Sequence, residues 1–184
     1  MAELERMYPK TLPTHANWRP RLRGLLASSN PAAKVALVGV GHPMRGDDYV
    51  GSYITKTLID DIHARDVILV DVEDHIEFMV SKIAALNPKH VIIIDACEMN
   101  LSPGEIALIP LGETQYPFFT THGIPLKLLA TKLLPNAETW LLAIQPERME
   151  FVGLNEHLSP AVLAAAKSAS KLVAETLKER EPNA

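Results

Sequence analysis

A chain of 184 residues, 47% of them hydrophobic, is long enough to bury a sizeable core as one domain of ordinary size. Its formal net charge of −4 offers no basic footprint for nucleic acid, and its single cysteine, Cys97, excludes an intramolecular disulfide framework and fits a reducing compartment. No run approaches the roughly 18 uninterrupted apolar residues of a membrane span, and the first ten residues lack the apolar centre of a signal peptide, so a cytoplasmic protein without membrane insertion is the expectation.

In chain order, residues 1–17 mix Glu, Arg, Pro and Thr without periodicity and read as an irregular leader. Trp18, Leu22, Leu25 and Leu26 recur near helical spacing, which predicts an extra helix over 18–28, closed by Ser28-Ser29-Asn30-Pro31. The expected organisation is thus a leader over 1–30 and a single α/β domain over 31–184. Val35, Leu37 and Val38 form a short, mostly β-branched run that stops at glycines, as a strand covered on both faces does. Val67 to Val70 predicts a second buried strand ending in Asp71, and a helix over 76–86 should stop at Asn87-Pro88. Val91 to Ile94 is the most β-branched run of the chain and predicts a central strand ending on Asp95.

Further on, a polar loop with a Pro103-Gly104 turn leads to an expected strand over 105–111, in which Pro110 suits only an edge or an end. Residues 120–125 form another polar loop, feeding a helix over 126–134 that Pro125 could open as an N1 proline. Residues 140–144 predict the last strand, and a long helix should run from Pro160 to about Leu177, before a polar tail. Strands and helices alternate at crossover spacing. The fold class is therefore α/β, a three-layer α/β/α sandwich with a mostly parallel central sheet of about five strands.

The chemistry concentrates after the first strand, at Gly39-Val-Gly-His-Pro-Met-Arg-Gly-Asp-Asp48. A dinucleotide cradle is disfavoured, because Met44 stands at the third glycine of G-x-G-x-x-G and two carboxylates at a helix start would repel a pyrophosphate. Asp47 and Asp48 open a segment with Val50, Tyr53, Ile54, Thr57 and Leu58 at helical spacing, so one acid is expected to cap a helix and the other to point across the top of the sheet. Asp48, Asp95 and His122 all stand where carboxyl-end loops of a parallel sheet gather. Two oxygens and one nitrogen suit a borderline divalent metal such as nickel or zinc.

Taken singly, each has an ordinary reading: a cap, a loop acceptor, a surface histidine. Asp71 shares the topology and stays open as a site residue. His75, Glu98 and Glu105 are secondary candidates, His15, His63, His90 and His157 read as exposed or structural, and Cys97 reads as packing beside the central strand.

Three ordered blocks, 39–51, 94–106 (Ile-Asp-Ala-Cys-Glu-Met-Asn-Leu-Ser-Pro-Gly-Glu-Ile) and 120–126 (Thr-Thr-His-Gly-Ile-Pro-Leu), together with Ile144-Gln-Pro146, resemble the signature segments of the hydrogenase maturation endopeptidases, and among these the hydrogenase 3 type. The resemblance covers about residues 34–177. It implies a peptidase that removes a C-terminal extension from the large-subunit precursor of a nickel-iron hydrogenase after nickel insertion. The family's nickel-recognition residues carry over to Asp48, Asp95 and His122. The nickel belongs to the precursor, other divalent metals could substitute, and hydrogenase maturation chaperones are further candidate partners.

One departure is His42, where the family usually has Asn; an imidazole could be a fourth contact to metal or tail, or a neutral replacement. Whether the metal acts as Lewis acid or a carboxylate activates water stays open at this level. The rival reading is a non-catalytic nickel-sensing checkpoint or chaperone that binds the same precursor.

Overall fold

The aliphatic runs become five strands, β1 (Val35–Val40), β2 (Val67–Glu73), β3 (His90–Ala96), β4 (Ile106–Pro110) and β5 (Glu138–Ile144), in a sheet of order β2-β1-β3-β5-β4. The structure, a computed structural model, describes residues 17–27, 34–73, 75–112, 125–153 and 158–179. β1 runs parallel to both β2 and β3, and β3 parallel to β5, while β4 is antiparallel to β5. The link between β3 and β4, residues 97–105, carries no crossover helix. The chain therefore starts β4 at the edge where β3 stopped and can only run back down. Pro110 closes this edge strand, where its missing N–H costs no ladder bond.

The helices are α1 (Trp18–Leu26), α2 (Val50–Ile59), α3 (Ile76–Ala85), α4 (Leu126–Leu128) and α5 (Pro160–Lys178). Alternation along each strand divides the core in two. Leu37, Ile92, Ile94 and Leu142 face α1, α2 and α5. Val38, Ile93, Leu141 and Ala143 face α3 and α4. The result is a three-layer α/β/α sandwich with a mostly parallel sheet. Among the described residues, no helix is long and apolar enough to cross a membrane.

Several local expectations change. β2 is half-buried along residues 67–71, because it is an edge strand with a neighbour on one side only. β3 continues past Asp95 to Ala96. Pro125 lies outside its helix, with extended dihedrals (φ −61°, ψ 121°), and after three α-helical residues the chain widens into a π-turn over Leu129–Leu133. Pro160 does open α5 at its first turn. The N-terminal helix α1 exists and buries Trp18, Leu22 and Leu26 in the same core as α5.

Candidate active site

β1 leads through α2 to β2 on one side of the sheet, whereas β3 leads to β4 and β5 on the other. The adjacent carboxyl ends of β1 and β3 are therefore a topological switch point, the place where open α/β sheets bind ligands. Asp95 sits on β3 itself, and Asp48 in a 3-10 turn, Gly46–Tyr49, packed above it. Gly51 brings the two together. A Cβ there would strike the carbonyl oxygens of Ile94 and Val40, so only glycine lets α2 lie directly on these strands. Gly41, at φ 136°, passes beneath the Asp48 carbonyl in the same way, and Ser52 Oγ donates to the Gly41 carbonyl at 2.8 Å.

The neighbouring acids divide their labour otherwise than the sequence suggests, for neither caps α2, whose N-cap residue is Tyr49. Asp47 is fully buried and accepts four hydrogen bonds. Its Oδ2 takes those of the Glu147 and Arg148 amides at 2.9 and 3.1 Å and the Ser159 hydroxyl at 2.9 Å, and its Oδ1 takes the Ser159 amide at 2.7 Å. Ser159 is the N-cap residue of α5, so Asp47 ties the first loop to the start of the last helix, where the helix dipole favours a negative charge. Asp48, 2% exposed, accepts only the His42 amide among the described residues, at 2.9 Å to Oδ2.

Asp95 is 6% exposed. Burial, and after it the charge of Asp48, push its carboxyl well above the usual carboxylate range, and a backbone hydrogen bond from Ala96 opposes them only in part. Cys97 follows the same logic: burial, then Asp95, Asp48 and Glu98, hold its thiol well above the ordinary value, which makes it a poor thiolate and fits a packing role. Two buried acids thus share the switch point, with no cation beside them among the described residues.

The other candidates have separate partners. Asp71 pairs with Lys56 at 3.1 Å, and Lys56 also reaches Glu73 at 3.5 Å. Burial lowers the lysine, but Asp71, Tyr49 and Glu73 together outweigh it and leave its pKa raised. His75 stacks on Phe78. Glu105 accepts the Ser102 amide at 2.8 Å, and His63 is exposed. His90 is buried at the opposite end of the sheet, at the start of β3. His42 accepts the Met44 amide on Nδ1 at 3.2 Å, which places its own ring N–H on Nε2. His122, His15, His157 and Asp74 lie outside the described residues. Among the described residues, no third His, Cys, Asp or Glu completes a metal-holding cluster.

One residue at this edge carries more than the sequence suggests. Gln145, 3% exposed, accepts the Met99 and Leu101 amides on Oε1 at 2.7 and 3.2 Å and donates from Nε2 to Glu98 Oε1 at 2.9 Å and the Pro146 carbonyl at 3.2 Å. It fixes the loop that leaves Asp95. A glutamine between the last strand and a proline was the available signal.

The fold itself is one that a known family shares. The family model described as hydrogenase maturation protease matches residues 52–176, a span that includes Asp95 and His122 and begins just past Asp48. The chain belongs to the hydrogenase maturation protease family and is accordingly a peptidase, a hydrolase. The hydrogenase 3 maturation protease of Escherichia coli K12 is 32% identical over 117 residues, which is 62% of this chain and 74% of the relative. A Methanocaldococcus jannaschii relative, provisionally assigned as a hydrogenase maturation protease, is 29% identical over 143 residues, 73% of this chain and 85% of its own. In structure, the chain is similar to the [NiFe] hydrogenase maturation protease HycI of Thermococcus kodakarensis KOD1, with a TM-score of 0.75 and 26% identity over 86% of this chain and 99% of that one.

Proposed function

We propose that this peptidase removes the C-terminal extension of a nickel-iron hydrogenase large-subunit precursor of the hydrogenase 3 type after nickel insertion, and that Asp48, Asp95 and His122 recognise the nickel. The observation that carries this reading is the pair of acids at the switch point. Both are buried, the charge of Asp48 adds to the cost of ionising Asp95, and among the described residues no cation beside them offsets it. A divalent cation that arrives with the substrate would remove both penalties at once. The donor set, two carboxylates and the imidazole of the matched Thr-Thr-His block, suits nickel.

Nickel held there would fix the neighbouring scissile peptide and polarise its carbonyl. This chain's own share is to hold two buried acceptors near one another, of which one carboxylate can take a proton from the attacking water. The low affinity of an incomplete, open ligand set for free metal makes the precursor's nickel the signal to cut.

The test is incubation with a nickel-loaded precursor and, in parallel, a nickel-free one, read at the C-terminus by intact mass. Shortening of the loaded precursor alone is expected, and Asp95→Asn should abolish it. Complex formation without shortening would favour the checkpoint reading, and shortening of both would remove nickel from the role of signal.

A further inference from the structure

The outer surface of α1 has a composition at odds with the rest of an acidic chain. Its nine residues, Trp-Arg-Pro-Arg-Leu-Arg-Gly-Leu-Leu, hold three arginines and no acid. All three arginines are exposed, and none is paired with a carboxylate among the described residues. Arg19 lies over the Trp18 ring at 4.5 Å and donates to Ser168 Oγ at 2.7 Å, and Arg21 lies over the Trp140 ring at 4.7 Å. Such contacts orient a guanidinium and leave its charge unneutralised. Between α1 and the second half of α5 runs a cleft of about 480 Å³, with Pro20 and Leu172 as its apolar floor and Arg19, Arg23 and Lys171 on its walls. The one acid that lines it, Glu175, stands 3.7 Å from Lys171, in an exposed contact of little strength.

We propose that this cleft is a docking site for an acidic polypeptide segment of a partner protein. Forked guanidiniums and an ammonium around an apolar floor suit carboxylate side chains interleaved with aliphatic ones. Nucleic acid fits less well. The two nearby tryptophans are buried and already covered by arginines, so neither is free to stack a base, and Glu175 with a net charge of −4 opposes a continuous polyanion.

Half of the cleft comes from α1, which precedes the span 52–176 matched by the family model. Ser168 to Glu175 lie 9 to 16 residues along α5 from Ser159 at the acid site. At ~1.5 Å per residue this is roughly 14–24 Å. A partner held here would therefore lie within about seven extended residues of the switch point. The proposal does not depend on nickel recognition, because binding is read without cleavage.

The experiment is fluorescence anisotropy of a labelled ten-residue Glu/Leu peptide with the full chain at low salt, against an Arg23→Gln/Lys171→Gln double variant and a Lys82→Gln control on the opposite face. Micromolar binding, weakened at least tenfold in the double variant and by rising salt but unchanged in the control, is expected. An unchanged melting temperature in both variants keeps the comparison valid, since all three side chains are exposed. Absence of peptide binding by the unaltered chain, or equal affinity in the double variant, would overturn the proposal. Displacement of the peptide by a single-stranded oligonucleotide at a lower concentration of charge would assign the cleft to nucleic acid instead and would also overturn it.

Discussion

At the amino end of β3, His90 is buried 3.3 Å from Glu138, its register partner at the head of β5, whose carboxylate is 63% exposed to water. Burial pulls the ring below its ordinary pKa and outweighs the glutamate, so the imidazole rests in its neutral form. At the carboxyl end of the same strand, Asp95 is buried beside a second acid. One end of β3 has settled its electrostatics with a group that can shed its charge near neutrality. The other keeps Asp95 beside Asp48, whose charge adds to the cost of its ionisation. What keeps the second arrangement in place is its frame, Asp47 and Gln145, both saturated with hydrogen bonds.

The comparison can be broken most severely through that frame. Asp47→Ala removes the acceptor of four hydrogen bonds and orphans the amides of residues 147, 148 and 159. A loss on the order of 3–5 kcal/mol is expected in denaturant unfolding; a loss below about 1 kcal/mol would mean that the loop and α5 hold without it. Gln145→Leu keeps the volume but frees the 97–101 loop, which should cost about 2–3 kcal/mol and slow cleavage by roughly tenfold or more through a displaced Asp95.

A smaller change, of opposite sign, sharpens the contrast. Asp95→Asn keeps an oxygen acceptor for Ala96 but removes a charge that burial disfavours. Stability should rise by about 1 kcal/mol, a few degrees in melting temperature, while cleavage is lost. A fall in stability would show that the acid is already compensated.

The mildest test lies at the other end. The unfolded His90 ring takes its proton near pH 6.5 and the folded ring only at lower pH, so acidification favours the unfolded chain. The stability that His90 contributes should be complete above that pH and decline as pH falls below it. His90→Gln should flatten this limb of a pH–stability curve measured by thermal unfolding, leaving the curve above pH 7 unchanged.

The local pattern made much of this legible. β1, β3 and β5 are short aliphatic runs with clear stops, and Pro110 and Pro160 occupy the edge end and helix start that their chemistry requires. The acids at the strand ends could be read because side-chain type and topology coincide there. Other features depend on tertiary placement. Val67 to Val70 reads like a core strand, and only strand order puts it at the edge. Nothing in Asp47-Asp48 tells which acid ties the loop to the last helix, because the four donors of Asp47 lie 100 to 112 residues downstream. Lys56 removes Asp71 from contention only through its position on α2. The buried amide of Gln145 is one polar letter in the sequence and a junction of two loops in the fold.

The same downstream tether bears on the order in which the chain emerges from the ribosome. The last strand ends at Ile144, so every element of the sheet leaves the ribosome before Glu147, Arg148 and Ser159 do. In that interval Asp47 has none of its four donors, and the loop that carries Asp48 lacks its tether to α5. The acid site is thus completed last, by residues outside the sheet.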